Sequence, residues 1–123
     1  MIKILVVDDE EGVCFSIKQL FSYVGFPVFT ATSIKKALSI FNKENPQIVF
    51  LDIIMPKKTG FDVIDTLKNN SATKNIPIIV LSNLGQDDDV KRAKEKGVND
   101  YFVKANISLV SVVEMVNKCL QAA

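Results

Sequence analysis

Short, unbroken apolar runs alternate with longer amphipathic segments along this chain, and that alternation restricts the fold more than any other feature of the sequence. Four runs are continuously apolar, at Ile2–Val7, Ile48–Leu51, Ile76–Leu81 and Tyr101–Val103. Continuous runs of this length are typical of parallel strands that are covered on both faces. A fifth run, Pro27–Thr32, alternates apolar and polar residues and predicts a strand at the edge of the sheet.

The segments between the runs predict five helices. Four of them carry apolar residues three and four positions apart, as an amphipathic helix does. These residues are Val13, Ile17, Phe21 and Val24; Ile34, Ala37, Leu38 and Phe41; Phe61, Ile64 and Leu67; and Leu109, Val112, Val113, Val116 and Leu120. Gly25 would close the first helix, and the second would end before Pro46. The fourth segment, Gln86–Lys96, offers only Val90 and Ala93 as an apolar stripe, so we expect a weakly anchored helix there.

Strands that alternate with helices predict an α/β fold, a flavodoxin-like three-layer sandwich with a five-stranded parallel sheet. The order 2-1-3-4-5 fits this pattern, because the second strand looks like an edge while the first, third and fourth look buried. In that order a ligand is expected at the carboxyl ends of the first and third strands. The 123 residues suffice for one hydrophobic core, so we expect a single domain over 1–123.

Composition excludes several classes of function. A net charge of +1 gives no field that would favour nucleic acid, and the apolar runs are too short to span a membrane. The N-terminus leads directly into the first strand without room for a signal peptide, which predicts a cytoplasmic protein. The absence of histidine excludes Ser-His and Cys-His nucleophile pairs. Cys14 and Cys119 lie in apolar helical patterns and are expected to be small buried hydrophobes; a disulfide or metal pair is the alternative.

Polar side chains follow the four buried runs. They are Asp8 and Asp9 after the first, Asp52 after the third, Ser82 after the fourth and Lys104 after the fifth strand. Parallel strands bring their carboxyl ends to one edge of the sheet, so we expect these groups to converge. Crowded carboxylates repel one another, and Mg²⁺ suits them because it takes few carboxylates, keeps several waters and accepts phosphate oxygens. With a metal ion and a lysine in place, a phosphoryl group is the expected anion.

This chain resembles response-regulator receiver domains, the CheY-like family of two-component signalling, in four segments: LVVDDE, FLDIIMPKKTG, IIVLSN and DYFVK. The resemblance covers essentially the whole chain, and the strand order given above is also that of the family. It implies that Asp52 accepts a phosphoryl group, that Ser82 hydrogen-bonds that group and that Lys104 pairs with one of its oxygens. The implied ligands of Mg²⁺ are Asp8 through water, Asp9, Asp52 and the backbone carbonyl of Ile54.

The resemblance also implies partners. A sensor histidine kinase or a phosphotransfer protein would supply the phosphoryl group, and a downstream effector protein or domain would read the phosphorylated state. The readout would be the surface of the fourth helix, fifth strand and fifth helix, through which a homodimer is also possible. Tyr101 would rotate into the space that Ser82 leaves. Such a protein is not an enzyme on outside substrates, although it catalyses its own phosphorylation and dephosphorylation.

Three departures from the family pattern lead to predictions. Lys104 precedes Ala105 where the family usually has a proline in a cis peptide, and cis costs roughly 3–4 kcal/mol without proline. We expect this bond to be cis if Lys104 is to reach the site. Ile54 and Leu84 are apolar and would shield an acyl phosphate from water, which predicts a long phosphoryl lifetime. Asn83 is larger than the residue that the family usually has there, and it would restrict the access of phosphodonors or attacking water to the site.

Three alternatives were compared with this interpretation. A flavodoxin-like electron carrier needs a Ser/Thr/Gly-rich phosphate loop after the first strand, and the acidic run Asp8–Glu11 found there would repel the flavin phosphate. A phosphatase with an aspartyl nucleophile needs a second Asp at the position of Ile54. A receiver-like constitutive interaction module, not regulated by phosphorylation, would be expected to lose Asp52 or Lys104; it remains the second possibility.

Overall fold

Five parallel strands form the sheet of this protein. The computed structural model describes residues 2–53, 60–83 and 85–121. The strands are β1 (Ile4–Val7), β2 (Val28–Ala31), β3 (Ile48–Asp52), β4 (Ile78–Ser82) and β5 (Asp100–Val103). Every neighbouring pair is parallel, and the order is β2-β1-β3-β4-β5, which confirms the predicted topology.

Helices cover both faces of the sheet and complete the three layers. They are α1 (Glu11–Ser22), α2 (Ile34–Glu44), α3 (Gly60–Lys68), α4 (Asp87–Glu95) and α5 (Leu109–Gln121). One apolar cluster joins the sheet to α2, α3 and α4, and a second joins its other face to α1 and α5. Alternate residues of β1 enter different clusters, Leu5 the first and Ile4 the second, as the pleat of a strand requires. All residues of β1, β3 and β4 are buried, whereas β2 and β5 are partly exposed, so the predicted edge is correct.

None of the helices in the described part of the chain combines the length and hydropathy that crossing a bilayer requires.

The end of α1 differs from the prediction. The helix ends at Ser22, and Val24 is exposed instead of continuing the buried face. Gly25 adopts a φ of 80°, a left-handed conformation that turns the chain away from the helix. Phe26 then packs against the core, with its ring centroid 5.9 Å from that of Phe21.

Helix α4 has the thin apolar stripe that the sequence predicts, since Val90 and Ala93 are its buried residues. Polar contacts with α3 supplement this stripe. The Arg92 guanidinium lies 4.1 Å from the centre of the buried Phe61 ring, a cation–π contact. The Lys96 ammonium, directly after α4, lies 2.9 Å from the Asp65 carboxylate on α3. Two basic side chains therefore attach α4 to α3.

Both cysteines are buried free thiols, as predicted for small hydrophobes. Burial raises the pKa of the Cys119 thiol, and burial with the nearby Asp8 charge raises the pKa of Cys14 to about 11. A rise of two pKa units lowers the thiolate fraction about 100-fold. We expect iodoacetamide to alkylate Cys14 at least about 100-fold more slowly in the native protein than in urea, as measured by peptide mass spectrometry. Equal rates in the two states would contradict the buried placement.

Candidate functional site

Lys104 lies at the centre of the carboxyl edge of the sheet, where β5 ends. Its ammonium nitrogen is 2.7 Å from Asp8 Oδ2 and 3.3 Å from Asp52 Oδ2. The same nitrogen is 3.1 Å from Glu10 Oε1, in the loop between β1 and α1. The expected convergence of strand-end carboxylates and lysine is therefore present in the structure.

Burial makes these charges interact strongly. Asp8, Asp52 and Ser82 are the buried polar residues of the described chain, and the Lys104 side chain is only 9% exposed. Burial raises the pKa of the Asp8 carboxyl, an effect that the Lys104 ammonium partly offsets. Burial alone would lower the pKa of Lys104, but its carboxylate neighbours, Asp8 above all, outweigh this and raise it. The lysine is therefore a permanent cation here.

One oxygen of Asp8 is suited to a further cation. Asp8 Oδ1 accepts a hydrogen bond of 2.9 Å from the backbone N–H of Glu10. Asp8 Oδ2 is fully buried and lies 2.7 Å from the Lys104 ammonium, its one close polar contact among the described residues. Such an oxygen keeps lone pairs available to a metal ion.

Carboxylate oxygens of Asp8, Asp9 and Glu10 lie within 4.8 Å of one another. Hard oxygen ligands of this kind, few in number and partly open to water, fit Mg²⁺. Of the predicted metal ligands, Asp9 is exposed in this group and Asp52 shares Lys104 with Asp8. Ile54 lies outside the described residues, as does Leu84, so their predicted roles stay predictions.

Ser82 and Tyr101 differ in their surroundings. The Ser82 hydroxyl is buried at the end of β4 and donates a hydrogen bond of 3.2 Å to the backbone carbonyl of Phe102 on β5. The Tyr101 ring is 39% exposed, and the Lys94 ammonium of α4 lies 5.0 Å from its centre. Ser82 therefore belongs to the buried edge of the site, whereas Tyr101 faces the surface beside α4.

The predicted cis bond between Lys104 and Ala105 is wrong. The described residues contain no cis peptide, yet Lys104 reaches both Asp8 and Asp52. A 3-10 turn over Lys104–Asn106 follows β5 immediately and redirects the chain with trans geometry. Without a proline ring nothing offsets the cost of a cis bond, so the trans form is the expected result of the alanine.

Glu10 is the residue of this site to which the sequence assigned no role. It contacts Lys104 from a position 94 residues away and joins the acidic group that could hold a metal ion. Its signal was the acidic run Asp8–Glu11, from which only the first two residues were selected as candidate ligands. The acidic run therefore also contained the third member of the group, Glu10.

The family model of the response regulator receiver domain matches residues 4–117. The chain is 41% identical over 102 residues to the "Probable transcriptional regulator ycf27" of Porphyra purpurea, covering 83% of this chain and about two fifths (41%) of that protein. It is 32% identical to sporulation initiation phosphotransferase F of Bacillus subtilis, over 83% of this chain and 81% of that protein.

The solved structure of a response regulator receiver domain protein from Clostridium thermocellum is 29% identical to this chain. It superimposes with a TM-score of 0.88 over 99% of this chain and 96% of that one. The family match, the curated relatives and the shared fold agree with one another. The chain therefore belongs to the response-regulator receiver family and is a receiver domain of two-component systems.

Proposed function

We propose that this receiver domain, residues 1–123, is a switch that accepts a phosphoryl group on Asp52. The observation that supports this most directly is the pair of buried carboxylates, Asp8 and Asp52, on the single ammonium of Lys104. The Bacillus subtilis relative is named a phosphotransferase, which is consistent with a chain that receives a phosphoryl group.

The proposed reaction is a transfer in which one bond to phosphorus replaces another. The Asp52 carboxylate attacks the phosphorus of a phosphohistidine or a small phosphodonor, the bond to the leaving group breaks, and an acyl phosphate forms. The leaving nitrogen or oxygen keeps the bonding electron pair. Lys104 pairs with a phosphoryl oxygen, and Ser82 turns its hydroxyl from Phe102 toward the phosphoryl group.

Mg²⁺ bound by Asp8, Asp9, Asp52 and the carbonyl of Ile54 would neutralise charge on the phosphoryl oxygens. Glu10 lies close enough to Asp8 and Asp9 to contribute through water. The acidic residues would thereby hold the cation, and Lys104, at the end of β5, would supply the second positive charge.

The proposed partners are a sensor histidine kinase or phosphotransfer protein as donor and an effector protein or domain as reader, in the cytoplasm. The reader would bind the surface of α4, β5 and α5, where a homodimer is also possible. A cavity of about 500 Å³ on the α4 and β5 part of this surface supports the proposed binding site. It is lined by Asp87, Val90, Lys91, Lys94, Glu95 and Tyr101.

Acetyl phosphate with Mg²⁺, followed by intact mass spectrometry, tests the proposal. We expect the native chain to gain one phosphoryl group and Asp52→Asn to gain none. Asp65→Asn, which changes an exposed carboxylate on α3, should gain it like the native chain. A native chain that gains nothing would favour the constitutive interaction module instead.

A further inference from the structure

Gly60 lies directly against the backbone of Asp52. It is the first residue of α3, and its N–H donates a hydrogen bond of 2.8 Å to the carbonyl of Ile53. A Cβ atom at this position would stand 2.6 Å from Ile53 Cα and would overlap the carbonyl oxygen of Asp52. Real Cβ atoms do not approach backbone atoms so closely, so a side chain here would displace either the helix or the Asp52–Ile53 peptide.

Position 60 needs glycine because the neighbouring backbone leaves no space for a side chain. The left-handed glycines of the described chain are Gly25, Gly85 and Gly97, and Gly60 is not among them. A Cβ on Gly12, Gly25 or Gly85 would meet nothing within 4 Å, and one on Gly97 would meet only the flexible side chain of Lys68. Gly60 alone of the five would push a Cβ against backbone, and that backbone carries the proposed phosphoacceptor.

We propose that Gly60 is a positioning residue for Asp52, a role that rests on the proposed phosphoryl transfer. Because Gly60 has no side chain, the first turn of α3 can pack directly against the Asp52–Ile53 peptide. That support fixes the direction in which the buried carboxylate leaves the strand toward Lys104, 3.3 Å away. Since Lys104 is also held by Asp8, a shift of Asp52 cannot be followed by the lysine without loss of the contact with Asp8.

The expected effect of a side chain at position 60 is large. To bring a Cβ from 2.6 Å to an ordinary contact distance, the start of α3 and the Asp52–Ile53 peptide must separate by about 1 Å, and the proposal is that the peptide takes up that shift. A misplacement of that size typically lowers the rate of a positioned reaction about 100-fold. Gly60→Ala should therefore accept phosphoryl groups from acetyl phosphate about 100-fold more slowly than the native chain.

The matched control is Gly12→Ala, the same substitution in the first turn of α1, where a Cβ has free space. Its rate should stay within about two-fold of native. Ile64→Val removes a buried methyl group from α3 itself and shows what a weakened helix does while Gly60 is retained. Its maximum rate per folded molecule should equal the native rate.

Rates are measured by intact mass over a range of acetyl phosphate concentrations and are corrected for the folded fraction from melting curves. A positioning role lowers the maximum rate constant per folded molecule and leaves the half-saturating concentration unchanged, whereas partial unfolding lowers the observed rate constant only in proportion to the folded fraction. If Gly60→Ala melts below the assay temperature, it is combined with Gly12→Ala and compared with Gly12→Ala alone. Both proteins are then assayed in sucrose, which favours the folded state. A native maximum rate in folded Gly60→Ala would overturn the proposal. No phosphorylation of the native chain would instead refute the phosphoacceptor function.

Discussion

Lys104→Met is expected to lower the free energy of unfolding by about 3–5 kcal/mol at neutral pH, because it leaves buried carboxylates without their cation. The ammonium that it removes lies 2.7 Å from the fully buried Asp8 and 3.3 Å from Asp52. Methionine fills a similar volume, so the loss reports charge and not packing. Urea unfolding of the two proteins at equal ionic strength in the absence of metal measures it.

The deficit of Lys104→Met should shrink as the pH falls. Burial already raises the pKa of Asp8 in the native chain, and without the lysine that pKa rises further. A carboxyl with a raised pKa in the folded state binds a proton more readily there than in the unfolded state. It therefore destabilises the fold as the pH rises through its folded pKa, and stability recovers below that pKa. Unfolding curves at a series of pH values from neutral downward test the sign.

Lys96→Met is the matched control for this experiment. Lys96 also pairs with a carboxylate, at 2.9 Å from Asp65, but half of the Asp65 side chain is exposed to water. Ion pairs in such a position contribute at most about 1 kcal/mol. A loss for Lys104→Met no larger than that for Lys96→Met would contradict the account of a buried charge centre.

Mg²⁺ should stabilise the native chain by about 2.7 kcal/mol at a concentration of 100 times its dissociation constant, by mass action. The physical reason is the excess of negative charge at the site, where Asp8, Asp9 and Glu10 gather their oxygens within 4.8 Å. Asp8→Asn should remove most of this stabilisation, since it removes the negative charge of the buried carboxylate. The melting temperature as a function of Mg²⁺ concentration measures the effect.

A second acidic run provides the control for the metal experiment. The first turn of α4 contains Asp87, Asp88 and Asp89, three neighbouring carboxylates that form no ion pair with a lysine within the described part of the chain. Asp88→Asn should melt with the same dependence on Mg²⁺ as the native chain. Equal Mg²⁺ stabilisation in Asp8→Asn and the native chain would show that the ion acts elsewhere.

Periodicity predicted the strands and the helices because parallel strands buried on both faces have a recognisable pattern, and the full strand order was supported also by the family resemblance. The alternating run at Pro27–Thr32 identified the edge, and the residues after each run identified the functional edge of the sheet. The contacts that sequence did not predict are long-range or side-chain specific. The Arg92–Phe61 stacking and the approach of Glu10 to Lys104 depend on how helices and loops settle on the finished sheet.

The cis prediction failed for a related reason. It assumed that only one backbone path leads from β5 to the site, whereas the 3-10 turn over Lys104–Asn106 provides another. Val24 was misplaced because helical spacing was extended past Ser22, beyond the end of the helix. Spacing identifies a face but does not locate the last residue that uses it.

The hydrogen bond from Ser82 to the carbonyl of Phe102 has a consequence for the unphosphorylated protein. Because Ser82 is buried, turning its hydroxyl away without a new partner would cost about 1–3 kcal/mol, which favours the resting orientation by between about 5:1 and 160:1. With that bias, a minority of molecules would already carry the other rotamer before any phosphodonor acts. Under the proposed function, that minority would give the reader a basal signal in the absence of a phosphodonor.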